Sequence, residues 1–359
     1  MDKAAESVEI RSASKNYGEV RALDNVSLNV APREFVSLLG PSGSGKTTLL
    51  GMLGGFIQPS SGSIHFGGRD VTLVPPHKRD IGVVFQNYAL FPHMNVGENV
   101  AFPLRARRLP KASWPDKVRA ALAMVGLSGF EARGVAQLSG GQRQRVALAR
   151  AMIFEPRLIL MDEPLSALDK QLRESMQIEL RQLHKRIGAT IIYVTHDQRE
   201  ALTMSDRVAI LKNGRLVQID RPEHLHDHPA DSFVAGFIGE ASLLPVCRID
   251  AGSVALGPAV LRTARAVPDS EALILVVHSE KLLIDGSGDS ALNRLTGTVT
   301  DVVYQGESLR IFLNLADGTA LSLRQSSHHV ANGRIPAVGG SLTVTLHPED
   351  TIIVPKAQE

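Results

Sequence analysis

The run Gly40-Pro41-Ser42-Gly43-Ser44-Gly45-Lys46-Thr47-Thr48 has the residue types and spacing of a phosphate-binding loop, G-x-x-x-x-G-K-[ST]. Gly43 and Gly45 let the backbone wrap close to phosphate oxygens, with amide N–H groups and a helix N-terminus facing the anion. Lys46 can reach the β- and γ-phosphates, and the Thr47 hydroxyl is placed to ligate Mg²⁺. A second chemical element is Asp162-Glu163-Pro164. An aspartate at a strand end beside a phosphate loop holds Mg²⁺, usually through water. The next carboxylate, Glu163, is then in position to polarise an attacking water. Each pattern alone also fits a plain glycine turn or an acidic strand end; together they specify binding and hydrolysis of a nucleoside triphosphate.

Such groups need a rigid frame. Phe35-Val36-Ser37-Leu38-Leu39 is an apolar run of strand length, and Leu49, Leu50, Met52 and Leu53 follow the loop with helical spacing. Leu158-Ile159-Leu160-Met161 is a second buried-strand pattern, ending on Asp162. Leu138-Ser139-Gly140-Gly141-Gln142, followed by Arg143 to Ala151, reads as the cap and open backbone of a helix start. Its N–H groups, hydroxyl and positive dipole end suit an anion.

Leu138–Gln142 is also the signature of one superfamily, and the chain resembles an ATP-binding-cassette (ABC) ATPase. The resemblance implies an α/β P-loop NTPase fold with a helical subdomain at about 96–155. It also implies roles for further residues. Tyr17 is similar to the aromatic that stacks on adenine, Gln86 to the glutamine that senses Mg²⁺ and water near the membrane partner, and His196 to the switch histidine on the γ-phosphate. Ser166-Ala167-Leu168-Asp169 resembles the D-loop between paired subunits. In the family, two cassettes pair head to tail, each ATP lying between one phosphate loop and the partner's signature. Each motif occurs here once, so a two-fold homodimer is expected, with Ser139, Gly140, Gly141 and Gln142 serving ATP in trans. Mg²⁺ would be held by Thr47, Gln86 and Asp162.

At 359 residues the chain is expected to hold two domains. The cassette is placed at residues 1–239 and a second domain at 240–359. In the latter, Leu309, Ile311, Leu313 and Leu315 alternate, Asp317-Gly318 supplies a turn, and Leu321 and Leu323 resume. Leu342, Val344 and Leu346, then Ile352 to Val354, continue the pattern of a small all-β barrel of OB type. Position and pattern resemble the TOBE barrel of importer ATPases, with one departure: His278-Ser279-Glu280 stands where relatives usually read Arg-Pro-Glu. His224, His226 and His228 read as a solvated linker rather than a metal site, and His328-His329 as bland.

The formal net charge of +2 gives no support for nucleic-acid binding, and Arg105, Arg107, Arg108 and Lys111 read as a solvated face. Cys247, the single cysteine, excludes an internal disulfide framework. Met1 to Glu6 lacks a signal-type apolar core, and no run approaches the ~18 apolar residues of a membrane span. The expectation is therefore a peripheral subunit on the cytoplasmic face of the membrane. Its partners would be two integral-membrane permeases and an extracytoplasmic binding protein.

The segment Val74 to Met94 is most similar to spermidine/putrescine importer ATPases, with sugar and ferric-iron importers as close neighbours. Soluble ABC ATPases of DNA repair or translation form a different class. They carry a long coiled-coil insertion or two cassettes, and this chain has neither.

Overall fold

Alternating apolar residues begin the chain as an antiparallel layer. In the computed structural model, which describes residues 5–284, 291–327 and 335–358, β1 (Val8–Tyr17) pairs with β2 (Val20–Val30). Next come β3 (Phe35–Leu39), buried along its whole length, and α1 (Lys46–Gly54). The hairpin strands β4 (Ser61–Phe66) and β5 (Arg69–Asp70) complete a sheet of order β2-β1-β4-β5.

The chain continues through β6 (Gly82–Val84), α2 (Val96–Ala106), α3 (Trp114–Met124) and α4 (Gly140–Met152). It then forms β7 (Leu158–Asp162), α5 (Lys170–Ile187), β8 (Thr190–Val194), α6 (Gln198–Met204), β9 (Arg207–Lys212) and β10 (Arg215–Asp220). These build a six-stranded sheet, β10-β9-β3-β8-β7-β6, parallel except for β10. Burial on both faces explains why β3, β7 and β8 read as continuous apolar runs.

One core lies between the antiparallel layer, α1 and the sheet, around Leu38, Leu49, Met52, Leu53 and Ile192. The other gathers α2 to α5 against the opposite face, around Val100, Leu104, Leu122, Leu148 and Tyr193. Because β3, β7 and β8 run parallel, their carboxyl ends share one edge. The register opposes Leu38 and Asp162 to Val194, so everything that leaves these strands emerges together.

The first compact unit spans Met1–Pro222 and the second Glu223–Glu359. The second opens with α7 (Pro222–Asp227) and α8 (Ser232–Ile238), capped by the Asp231 carboxylate. One five-stranded sheet contains β11 (Ala241–Arg248), β12 (Ser253–Leu256), β13 (Ala259–Arg262), β14 (Leu273–His278) and a later strand from the chain end. The other contains β15 (Leu283–Ile284), β16 (Asn293–Tyr304), β17 (Ser308–Leu315), β18 (Ala320–Ser326) and β19 (Ser341–Leu346). The chain-end strand of the first sheet is β20 (Ile352–Pro355). Both are antiparallel, and Leu275, Val277, Ile311, Leu313, Leu323 and Val344 join in one core. Asp317-Gly318 makes the expected turn, with Gly318 at φ 82°.

The second compact unit starts at Glu223, and within it Ala235 of α8 packs on Ile274, Val276, Ile352 and Val354. One expectation is corrected. The His224–His228 stretch is not a solvated linker: Leu225 is fully buried and His226 half-buried, so α7 has an inner side. His328 and His329 lie outside the described residues.

Candidate nucleotide site

The phosphate loop leaves β3 at the centre of the parallel sheet and closes onto α1. Gly43 and Gly45 take φ values of 79° and 100°, a region where a side chain would be strained. Gly40 needs its missing side chain for room, since a Cβ there would lie 2.2 Å from the Leu211 carbonyl oxygen. Lys46 folds back over the loop, donating to the carbonyls of Gly40 at 2.7 Å and Pro41 at 2.8 Å. Burial pushes its pKa down, against the pull of Glu163 and Asp162. The cleft, of about 310 Å³, is lined by Ala22, residues 42–48, Glu163 and His196. Tyr17 stands half-exposed at the end of β1 and does not line it.

Glu163 follows β7 in a left-handed conformation, φ 42°, pinned by its N–H donating to the Val194 carbonyl at 3.0 Å. That costs of order 1–3 kcal/mol, and such strain clusters at functional sites. The turn aims its carboxylate at two other expected residues. Gln86 Nε2 lies 3.3 Å and His196 Nδ1 3.2 Å from Oε2 of Glu163. Burial and the adjacent Glu163 charge push the Asp162 carboxyl above its ordinary range.

The signature residues go elsewhere. Ser139 caps α4, accepting from the Gln142 N–H, while the Gln142 side chain accepts from the Ser139 N–H. None of Ser139, Gly140, Gly141 and Gln142 lines the cleft of its own chain, and Ser139 and Gly140 are exposed. Gly141 is buried, and a Cβ there would press on Leu172 at 3.0 Å. In the D-loop, the Ser166 hydroxyl donates to the Glu163 carbonyl, Leu168 is buried, and Asp169 caps α5. Ala167 is exposed.

Sequence reasoning missed the residues that brace these loops. Glu200, 3% exposed, accepts from Tyr193 and Thr195 hydroxyls at 2.7 Å each, tying α6 to the strand that delivers His196. Arg173 donates to the Leu168 carbonyl and lies 3.5 Å from Asp197, linking the D-loop to the histidine loop. Arg150, near the end of the signature helix, donates to the carbonyls of Tyr88 and Ala89, two left-handed residues just after Gln86. The only sequence signal for Glu200 is its four-residue spacing from His196; Arg150 and Arg173 carry none.

This arrangement, a glycine loop closing onto a helix with Glu163, Gln86 and His196 meeting at the same sheet edge, is that of a P-loop ATPase. The ABC transporter family model matches residues 23–166, and the TOBE domain model matches 275–354. The spermidine/putrescine import ATP-binding protein of Borreliella afzelii is 40% identical over 354 residues, covering 97% of this chain and 98% of the relative. That of Pseudomonas aeruginosa is 46% identical over 323 residues, covering 88% and 89%. A sulfate/thiosulfate import ATP-binding protein of Chromobacterium violaceum is 44% identical over 338 residues, covering 94% and 92%. A solved dimeric ATP-binding cassette in a post-hydrolysis state, bound to ADP and Pi, is 35% identical with a TM-score of 0.53. It covers 60% of this chain and 98% of its own. The chain therefore belongs to the ATP-binding proteins of ABC transporters and carries a TOBE domain. It is an ATP-hydrolysing translocase subunit of the importer type.

Proposed function

We propose that this subunit works as a homodimer that converts ATP closure and hydrolysis into polyamine import through two separate permeases. The observation that carries the chemistry is the meeting of Gln86 and His196 on one oxygen of Glu163, at the rim of the phosphate cleft. Glu163 takes the proton of the attacking water, and His196 holds the γ-phosphate side. Lys46 and the loop amides neutralise phosphate charge. Mg²⁺ suits the donors present: the Thr47 hydroxyl, the Asp162 carboxylate and the Gln86 amide oxygen are hard oxygen ligands. When bound, the ion would neutralise charge on the β- and γ-oxygens.

A solved dimer among the structural relatives, and a signature helix that leaves its own cleft, support the head-to-tail pairing. No helix among the described residues is long and apolar enough to cross a membrane, which is in keeping with a peripheral subunit on the cytoplasmic face. The permease has a suitable seat in the groove between α2 and α3, about 1020 Å³, with Phe102, Trp114 and Val118 among its walls. Asn99 on α2 ties that groove to the Gln86 segment through Phe91.

The polyamine reading rests on relatives 40% and 46% identical that carry that name, and on the Val74–Met94 resemblance. The 44% identical sulfate/thiosulfate relative favours a second reading, an oxyanion cargo. Uptake of labelled putrescine, spermidine, maltose, sulfate and ferric iron, with and without this gene, separates them. Loss confined to the polyamines is expected; intact polyamine uptake alongside lost sulfate uptake sinks the cargo assignment and spares the ATPase.

A further inference from the structure

The departure at His278-Ser279-Glu280 and the histidine run in α7 meet in space. The His226 and His278 rings stack at 3.8 Å, 17° from parallel, and His226 Nε2 lies 3.3 Å from the Glu280 carboxylate. One ligand atom from each of the three residues lies within 4.8 Å of the other two. His278 is 2% exposed, and its Nδ1 is a buried nitrogen with no hydrogen-bond partner. A buried polar atom left unmatched costs about 1–3 kcal/mol. Gly239 leaves open the space both rings face: a Cβ there would lie 3.3 Å from His278 Nδ1 and 3.7 Å from His226 Cδ2.

From this geometry we propose that His226, His278 and Glu280 form a binding site for a divalent transition-metal ion of the zinc class within the TOBE unit. Two imidazoles and a carboxylate are a donor set that zinc accepts, with a fourth position left for water. The outer nitrogens are already held as a metal site requires. His278 Nε2 lies 3.2 Å from the His226 carbonyl, which accepts its N–H and directs the Nδ1 lone pair inward. His226 Nδ1 lies 3.1 Å from Asp227 Oδ1, leaving Nε2 for the ion. Without an ion, Nε2 of His226 faces the Glu280 carboxylate at 3.3 Å; a bound ion would take the place of that contact. Neighbouring positive charge is engaged elsewhere, Lys281 on Asp350 at 3.0 Å and Arg265 on the Asp227 carbonyl. Glu280, the most exposed of the three, and the half-buried His226 ring, which must turn out of its stack on His278, would move to bring the donors to the ~2.0–2.2 Å of a zinc bond. The ion would fasten α7 to the end of β14.

The test is titration of the chelator-stripped full chain with Zn²⁺ alone, nucleotide omitted, followed by heat unfolding. One ion per chain and a raised unfolding midpoint are expected for the wild type. Glu280→Gln and His278→Ala should each weaken binding by at least about tenfold and abolish the rise. Glu280→Gln changes a half-exposed carboxylate, so it remains informative if His278→Ala fails to fold. His224→Gln with His228→Gln should bind as the wild type does. Absent binding, equal affinity in Glu280→Gln, or a loss produced by His224→Gln with His228→Gln or by Asp162→Asn would overturn the site.

Discussion

The left-handed backbone at Glu163 points its carboxylate at Gln86 and His196, and on the function proposed above that carboxylate is the base. Glu163→Gln keeps the shape and the loop contacts but removes the base. Steady-state ATPase is expected to fall about 10²–10⁴-fold with nucleotide affinity largely retained; turnover near the wild-type rate would remove Glu163 from the role. Behind it, Glu200 is the residue whose loss should be felt at a distance. Glu200→Ala strands two buried hydroxyls and should cost about 2–4 kcal/mol, lowering turnover through a loosened His196 loop. Burial raises the Glu200 carboxyl above its ordinary 4.5. A raised folded-state pKa means its contribution is fully present below pH 4.5 and lost as pH rises through the raised value. Glu200→Gln should therefore flatten that part of the stability–pH curve while keeping an acceptor for the hydroxyls. An unchanged slope in denaturant titrations would show that the proton sits elsewhere.

At the scale of elements, parallel β3, β7 and β8 bring the phosphate loop, acid and histidine to one edge, while α4 carries the signature off. If that helix serves a partner's ATP, Ser139→Arg chains should bind nucleotide and fail to hydrolyse it. Mixed with Lys46→Ala chains they form dimers in which one site is broken twice and the other is intact. ATPase activity present in the mixture, and absent from either parent, is the expected result. Parents that stay inactive after demonstrated subunit exchange would argue against independent shared sites. The signature helix also reports inward, through Arg150 on the backbone just after Gln86. Arg150→Ala should thus lower turnover and disturb permease coupling together, because two left-handed residues there lose their clamp.

For the whole molecule, the proposed homodimer would close on ATP and open on its hydrolysis, as separate steps. The Glu163→Gln chain with ATP and Mg²⁺ should elute from a sizing column as a dimer, and revert to monomer when ADP replaces ATP. A monomer under both conditions would contradict the ATP-sandwiched pairing. If the cargo is a polyamine, as proposed, its selection falls to partners able to offer carboxylates and aromatic faces to an organic dication.

What the amino-acid sequence determined by itself was whatever is local: a glycine loop between an apolar strand and a helix, an acid at a strand end, a capped signature helix, an alternating β pattern around Asp317-Gly318. Each is written in neighbouring residues, because turns, caps and periodicity act over a few positions. Only the tertiary structure decided what depends on distant partners. Arg173 and Glu200 look like ordinary helix-surface charges until α5 and α6 pack beside the histidine loop. The unit boundary at Glu223 followed from α8 burying its apolar side on strands more than thirty residues further on. His226 read as part of a solvated run because its neighbours are polar, yet the fold lays its ring on His278, and that stacking depends on a contact across fifty-two residues.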